Sequence, residues 1–125
     1  MVGHVTTMRE PSIYLLAALA GGRKHGYALM AAIAELSEGR VELRPATLYG
    51  ALERLAGEGL VRMAGEEAVD GRLRRYYELT DAGALALAEQ QERLSQAAAA
   101  AARGLRAREE RRPRGGFATT REATA

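Results

Sequence analysis

Arginine is the residue type in this chain whose spacing points to chemistry. Arg72, Arg74 and Arg75 crowd into four positions after an Asp70-Gly71 turn signal, and Arg23, Lys24 and His25 precede the apolar segment that opens at Tyr27. Arg44 leads into Pro45-Ala46-Thr47-Leu48-Tyr49-Gly50, with Arg54 one helical turn further on. Guanidinium and ammonium groups placed this way hold oxyanions through charge-assisted hydrogen bonds. Bond-breaking chemistry has no matching set. The chain has no cysteine and only two histidines, His4 and His25, in terminal and basic settings. It therefore offers no thiolate, no zinc ligand set and no nucleophile paired with an oriented base. No Gly-rich loop with a phosphate-gripping lysine is present. The expectation is no enzyme, no metal and no cofactor.

Size and composition narrow the reading. A chain of 125 residues makes one modest core. Alanine supplies much of the apolar content, and there is one Phe and no Trp, so that core is thin. Lys+Arg 18 against Asp+Glu 16 leaves a net charge of only +2, so an anionic partner follows from where the arginines sit and not from their number. The longest apolar run, Ile13 to Ala20, falls well short of the roughly 20 residues a membrane span needs, and it lacks the flanks of a signal peptide. A soluble, cytoplasmic protein with no membrane partner is expected.

The elements that must position the arginines read as follows. Thr7 and Glu10 have capping-box spacing and Pro11 suits a first turn, which predicts a helix from about Met8 to Ala20. Its middle, Ile13 to Leu19, is apolar all round and calls for cover on two sides, the second from another subunit. Gly21-Gly22 stops it. A second helix runs from Tyr27 to Leu36, with Leu29, Ile33 and Leu36 on one face, and closes at Gly39. Arg23, Lys24 and His25 then stand at its positive end, where a DNA phosphate would be favoured. The alternation of Arg40 to Arg44 predicts a short strand or an extended linker. Pro45 opens a third helix to about Glu58, in which Leu48, Leu52 and Leu55 make one narrow apolar stripe. Its outward face carries Ala46, Thr47, Tyr49, Gly50 and Arg54, small or hydrogen-bonding residues suited to entering a groove of DNA. Gly59 offers a left-handed cap that would fold Leu60 back onto Leu55.

From Leu60 the apolar period changes from 3.6 to 2, predicting antiparallel strands at about 60–64 and 73–79 around a loop at 65–71. Arginines at the tip of such a hairpin reach phosphates or a minor groove, and they also keep an exposed edge from aggregating. Thr80-Asp81 starts a last helix that reaches at least Leu105 through six alanines at 97–102. Leu87, Gln91, Leu94, Ala98, Ala101 and Leu105 recur at alternating spacings of four and three, a seam for close helix–helix contact. The fold class is mainly α with a small β-hairpin: a winged helix-turn-helix over residues 8–79, a dimerisation helix over 80–108 and a disordered tail over 109–125.

Four blocks in this order resemble the PadR-type transcriptional regulators, in their short form with a single C-terminal helix. They are Leu15-Leu16-Ala17-Ala18-Leu19 with His25-Gly26-Tyr27, Arg44-Pro45-Ala46-Thr47-Leu48-Tyr49 with Leu52 and Leu55, Glu58-Gly59-Leu60-Val61, and Arg74-Arg75-Tyr76-Tyr77-Glu78-Leu79-Thr80-Asp81-Ala82-Gly83. The resemblance spans roughly residues 9 to 105. It implies a homodimeric repressor on a palindromic operator, with the Pro45 helix as recognition helix and Arg72, Arg74 and Arg75 in the wing. Duplex DNA would meet these residues together with Arg23, Lys24, His25, Tyr27, Arg44, Ala46, Thr47, Tyr49, Gly50 and Arg54. The C-terminal helix would pack with its partner and on the first helix, using the seam residues with Ile13 and Leu16. Relatives release DNA when a small aromatic or hydrophobic effector binds at or near the dimer interface; the tryptophan some multidrug-responsive members use is absent here. A winged helix used only for protein–protein contact is the competing reading, against which the open recognition face and the wing arginines weigh.

Overall fold

The computed structural model describes residues 8–113, and the elements run in the order α1 (Glu10–Ala20), β1 (Lys24–His25), α2 (Gly26–Leu36), α3 (Pro45–Gly57), β2 (Val61–Val69), β3 (Arg72–Leu79) and α4 (Asp81–Arg111). The described residues fall into two compact units that divide between Gln91 and Glu92. The first unit holds α1 to α3, an antiparallel sheet in the order β1-β3-β2, and the opening turns of α4. This is the four-helix, small-sheet arrangement of a winged helix.

Three apolar stripes make the core of that unit. Leu15, Leu16 and Leu19 of α1 meet Leu29 and Ile33 of α2, Leu48, Leu52 and Leu55 of α3, and Val61 of β2, each no more than 2% exposed. At about 1.5–3 kcal/mol for each large side chain taken from water, these nine supply most of what holds the small unit together. Leu36, predicted to continue the α2 face, is instead 50% exposed. The chain leaves the helix there through a left-handed Glu38 and Gly39, and the Gly39 N–H donates to the Ala34 carbonyl at 2.8 Å. Val41 joins the core beyond that turn, held by a Val41 N–H to Ser37 Oγ bond of 2.9 Å. Residues 40–44 are therefore an extended linker and not a strand.

The ends of the elements depart from the sequence reading in several places. The first helix begins at Glu10, with Arg9 as an N-cap that makes no side-chain cap bond, and Pro11 lies in the first turn. Glu10 is thus the first helical residue and cannot serve as the far half of a capping box; Thr7 lies outside the described residues. Leu60 folds back on Leu55 as predicted, through an N–H···O bond of 2.9 Å across Gly59. The hairpin is longer than expected. β2 continues through Val69, so the predicted loop at 65–71 shrinks to a turn in which Asp70 and Gly71 both take positive φ, the geometry that suits the twist of a two-residue hairpin. Opposite-charge pairs such as Glu66 across from Arg75 extend the ladder where apolar alternation has ended. A bulge interrupts the register between Met63 and Gly65.

Thr80 caps α4: its hydroxyl accepts from the Gly83 N–H at 3.0 Å and donates to the Gly59 carbonyl at 2.6 Å. The helix runs to Arg111, so residues 109–111, read as the start of a disordered tail, are helical; residues 114–125 lie outside the described residues. Within the first unit, Gly83 and Gln90 are buried and Leu87 packs against the core; Gln90 is 5% exposed and its Oε1 accepts from the Met8 N–H. The predicted Gln91 is exposed instead. Further along the helix Leu94, Ala98, Ala101 and Leu105 are all exposed. Among the described residues no helix is long and apolar enough to cross a membrane.

Candidate nucleic-acid interface

Helix α3 sorts its residues by the 3.6-residue turn. With Leu48, Leu52 and Leu55 buried, the opposite face presents Ala46, Gly50, Glu53 and Gly57, all exposed. Most of that face is small side chain, which lets a helix backbone sit deep against a surface. Arg44 at the N-cap is exposed at the same end, beyond Pro45. Glu53 was missed in the sequence, although it follows Ala46 and Gly50 at i+7 and i+3. A carboxylate on this face repels phosphates and can accept from a cytosine amine, so it restricts which surfaces the helix can approach.

The two flanks of α3 differ. On one, Tyr49 is 45% exposed and turns toward the first turn of α2, where Tyr27 is 73% exposed. On the other, Thr47, Ala51 and Arg54 line a groove of about 170 Å³ with Arg9, Pro11, Ser12, Leu15 and Leu43. Arg54 donates there to Ser12 Oγ at 3.3 Å, so its guanidinium leans on α1 rather than standing free.

The wing adds the second cationic surface. Along β3, Arg72, Arg74 and Tyr76 share one face by strand alternation, while Tyr77 and Leu79 on the other pack against the core. Arg75 is paired with Glu66 at 3.1 Å, and Tyr76 donates to Glu67 at 2.8 Å. Among the described residues no ion pair engages Arg72 or Arg74. The wing tip and the start of α2 border a cleft of about 310 Å³ lined by His25, Tyr27, Tyr49, Leu73 and the three wing arginines. Leu73, 61% exposed, has no counterpart in the sequence reading; an apolar residue between arginines at a hairpin tip was the available signal.

The basic turn before α2 is not the open phosphate cradle predicted. Lys24 and His25 form a short strand, β1, paired with Tyr77 and Tyr76 of β3, which two residues with no alternation could not announce. Lys24 is turned inward: its Nζ donates to the carbonyls of Ala18 at 2.8 Å and Gly22 at 3.1 Å, capping the end of α1. Arg23 donates to the Ala64 carbonyl at 3.0 Å, satisfying the group the β2 bulge frees, and its guanidinium lies 4.8 Å from the centre of the Tyr76 ring. His25 meets the same ring edge-on at 5.4 Å. Arg23 and His25 therefore brace the wing, with Arg23 still exposed.

The residues assigned to a dimer contact also divide. Leu16 is fully buried in its own chain and has no surface to give a partner. Ile13 and Leu87 are half-buried, Leu87 against its own core. Gln91, Leu94, Ala98, Ala101 and Leu105 are exposed, with Leu94 at 53% and Leu105 at 67%.

Comparison with known proteins agrees with this geometry. The model of the transcriptional regulator PadR-like family matches residues 15–89. The transcriptional regulator Rv3488 of Mycobacterium tuberculosis is 42% identical over 64 residues, 51% of this chain and 59% of that protein. A 37.1 kDa protein in transposon TN4556 of Streptomyces fradiae is 46% identical over 74 residues, 59% of this chain and 20% of that one. The chain thus spans less than two thirds of either relative. Among solved structures, a PadR family transcription regulator of Clostridium difficile R20291 aligns with a TM-score of 0.61 at 26% identity, covering 76% of this chain and 97% of that one. Bacillus subtilis PadR in complex with operator DNA shares the fold with a TM-score of 0.58 at 22% identity, over 65% of this chain and 47% of its own. The Mycobacterium and Clostridium difficile proteins are transcriptional regulators and not enzymes, and with the family model matching more than half of its length the chain belongs to the transcriptional regulator PadR-like family.

Proposed function

We propose that this chain is a cytoplasmic, sequence-specific DNA-binding regulator that acts as a homodimeric repressor on a palindromic operator. The observation that carries the reading is the exposed, small-residue face of α3 beside a wing whose Arg72 and Arg74 have no ion-pair partner among the described residues. A helix with that surface fits a major groove while hairpin cations hold the flanking phosphates. The Bacillus subtilis neighbour, solved in complex with operator DNA, supports DNA as the partner. Exposed Leu94 and Leu105 on α4 support self-association through that helix. Release of DNA by a small aromatic or hydrophobic effector belongs to this reading on the family resemblance alone.

Binding to duplex DNA across a salt series tests it. If a dimer neutralises about 6 phosphates, log affinity should fall against log salt with a slope near −5, at about 0.9 per contact. Selection from a random duplex pool should then return a palindrome with half-sites about one helical turn, roughly 34 Å, apart. A slope near zero would refute the electrostatic model and leave the winged helix as a protein-interaction module.

A further inference from the structure

We infer that Gly26 is a positioning residue for sequence readout: the space left by its missing side chain seats the phenol end of Tyr49 and fixes that ring between the recognition helix and the wing. The inference rests on the DNA-binding reading above. Gly26 is the first residue of α2 and is buried. Its φ lies outside the left-handed region that favours glycine, so the backbone there accepts any residue. Space is what excludes a side chain. A Cβ built on Gly26 would overlap the Tyr49 hydroxyl and fall 3.0 Å from Tyr49 Cζ and 3.7 Å from Cε1.

The notch is anchored on the wing side as well. His25, the preceding residue, is paired with Tyr76 of β3 and packs edge-on against its ring, so the sheet sets where Gly26 lies. Tyr49 stands on the flank of α3 facing that point, one end seated and nearly half its surface open to the cleft that Tyr27 and Arg74 also line. One contact therefore ties α3, α2 and the wing at the place where a base edge or a sugar would be met. Readout of a base demands placement within about 0.5 Å, and a rotamer change of a tyrosine moves its hydroxyl much further.

What yields on Gly26→Ala is the far end of a rotatable side chain, not backbone. Alanine is also the better helix former. The fold should tolerate the change, and Tyr49 should swing away. This separates a positioning role from a structural one.

The test uses the full chain as wild type, Gly26→Ala, Tyr49→Phe and the double variant, with two probes: a duplex selected by the wild type from a random pool, and a scrambled duplex of equal length. Gly26→Ala should lose at least tenfold in affinity for the selected duplex, keep its affinity for the scrambled one within about twofold, and unfold within a few degrees of the wild type. The double variant should recover at least half of the logarithmic loss, because removing the hydroxyl removes the closest overlap. Unchanged binding by Gly26→Ala would overturn the proposal, as would an equal loss on both duplexes, a parallel fall in melting temperature, or no recovery in the double variant. If the wild type selects no sequence, the DNA-binding reading itself fails and takes the proposal with it; selection by the wild type with an unaffected Gly26→Ala refutes the notch alone.

Discussion

Replacing Leu94 with Glu should break self-association, and the size of the effect follows from how much of that side chain is still open. Leu94 is 53% exposed and Leu105 67% exposed, so a partner can cover about half of one leucine and two thirds of the other. At about 1.5–3 kcal/mol for a whole leucine, the two together contribute about 2–3.5 kcal/mol per subunit, and twice that across a two-fold contact. This lies at the lower end of the roughly 4–15 kcal/mol that association costs, so close packing of the alanines between them has to supply the rest. Losing Leu94 removes about 1.6–3.2 kcal/mol counted over both subunits, which raises the dimer dissociation constant roughly 15- to 200-fold. The two buried carboxylates weaken it further. Glu is a good helix former, so helicity should survive. Sedimentation over a concentration series, with circular dichroism as the folding control, measures both. A Leu94→Glu variant with unchanged dimerisation and unchanged operator affinity would refute the seam and send the dimer contact elsewhere on the chain.

Other substitutions separate the roles the structure gives its cations. Arg72→Gln with Arg74→Gln should make the salt slope shallower by about 3 to 4, since a dimer loses four contacts at about 0.9 each; a slope that stays put would place both groups away from phosphate. Lys24→Gln should cost about 1–3 kcal/mol in denaturant unfolding, because Nζ satisfies the Ala18 and Gly22 carbonyls, and should leave the salt slope unchanged. A loss of slope there would restore Lys24 to the phosphate surface. Gly83→Ala should destabilise by about 1–3 kcal/mol, since a Cβ at that position would overlap the Leu60 carbonyl, a backbone atom that cannot swing aside. A melting temperature equal to the wild type's would show that α4 can shift to make room.

The sequence by itself determined the elements whose signals are local. Leu48, Leu52 and Leu55 recur at the helical period and are buried on one stripe of α3. Asp70-Gly71 made the hairpin turn because an Asp and a Gly tolerate positive φ with little strain. Thr80 caps α4 because its hydroxyl reaches a backbone N–H three residues on. The exposure of Ala46 and Gly50, opposite that stripe, followed from the same period.

Only the tertiary structure decided the rest. Lys24 and His25 became a strand because β3, some fifty residues later, offered them a free edge. β2 ran on past Ala64 because Arg75 and Arg74 stood opposite Glu66 and Glu67, a pairing that no period within one strand encodes. Leu16 and Leu36 look alike along their helices, yet one is fully buried and the other half open, because the chain turns away through Glu38 and Gly39 and Val41 joins the core. The destinations of Arg23, Lys24 and Arg54 were the least legible of all. A long cationic side chain can reach solvent, a phosphate or a nearby carbonyl with little difference in local energy, and the choice fell to whichever acceptor packing left unsatisfied: the bulge at Ala64, the end of α1 and the hydroxyl of Ser12.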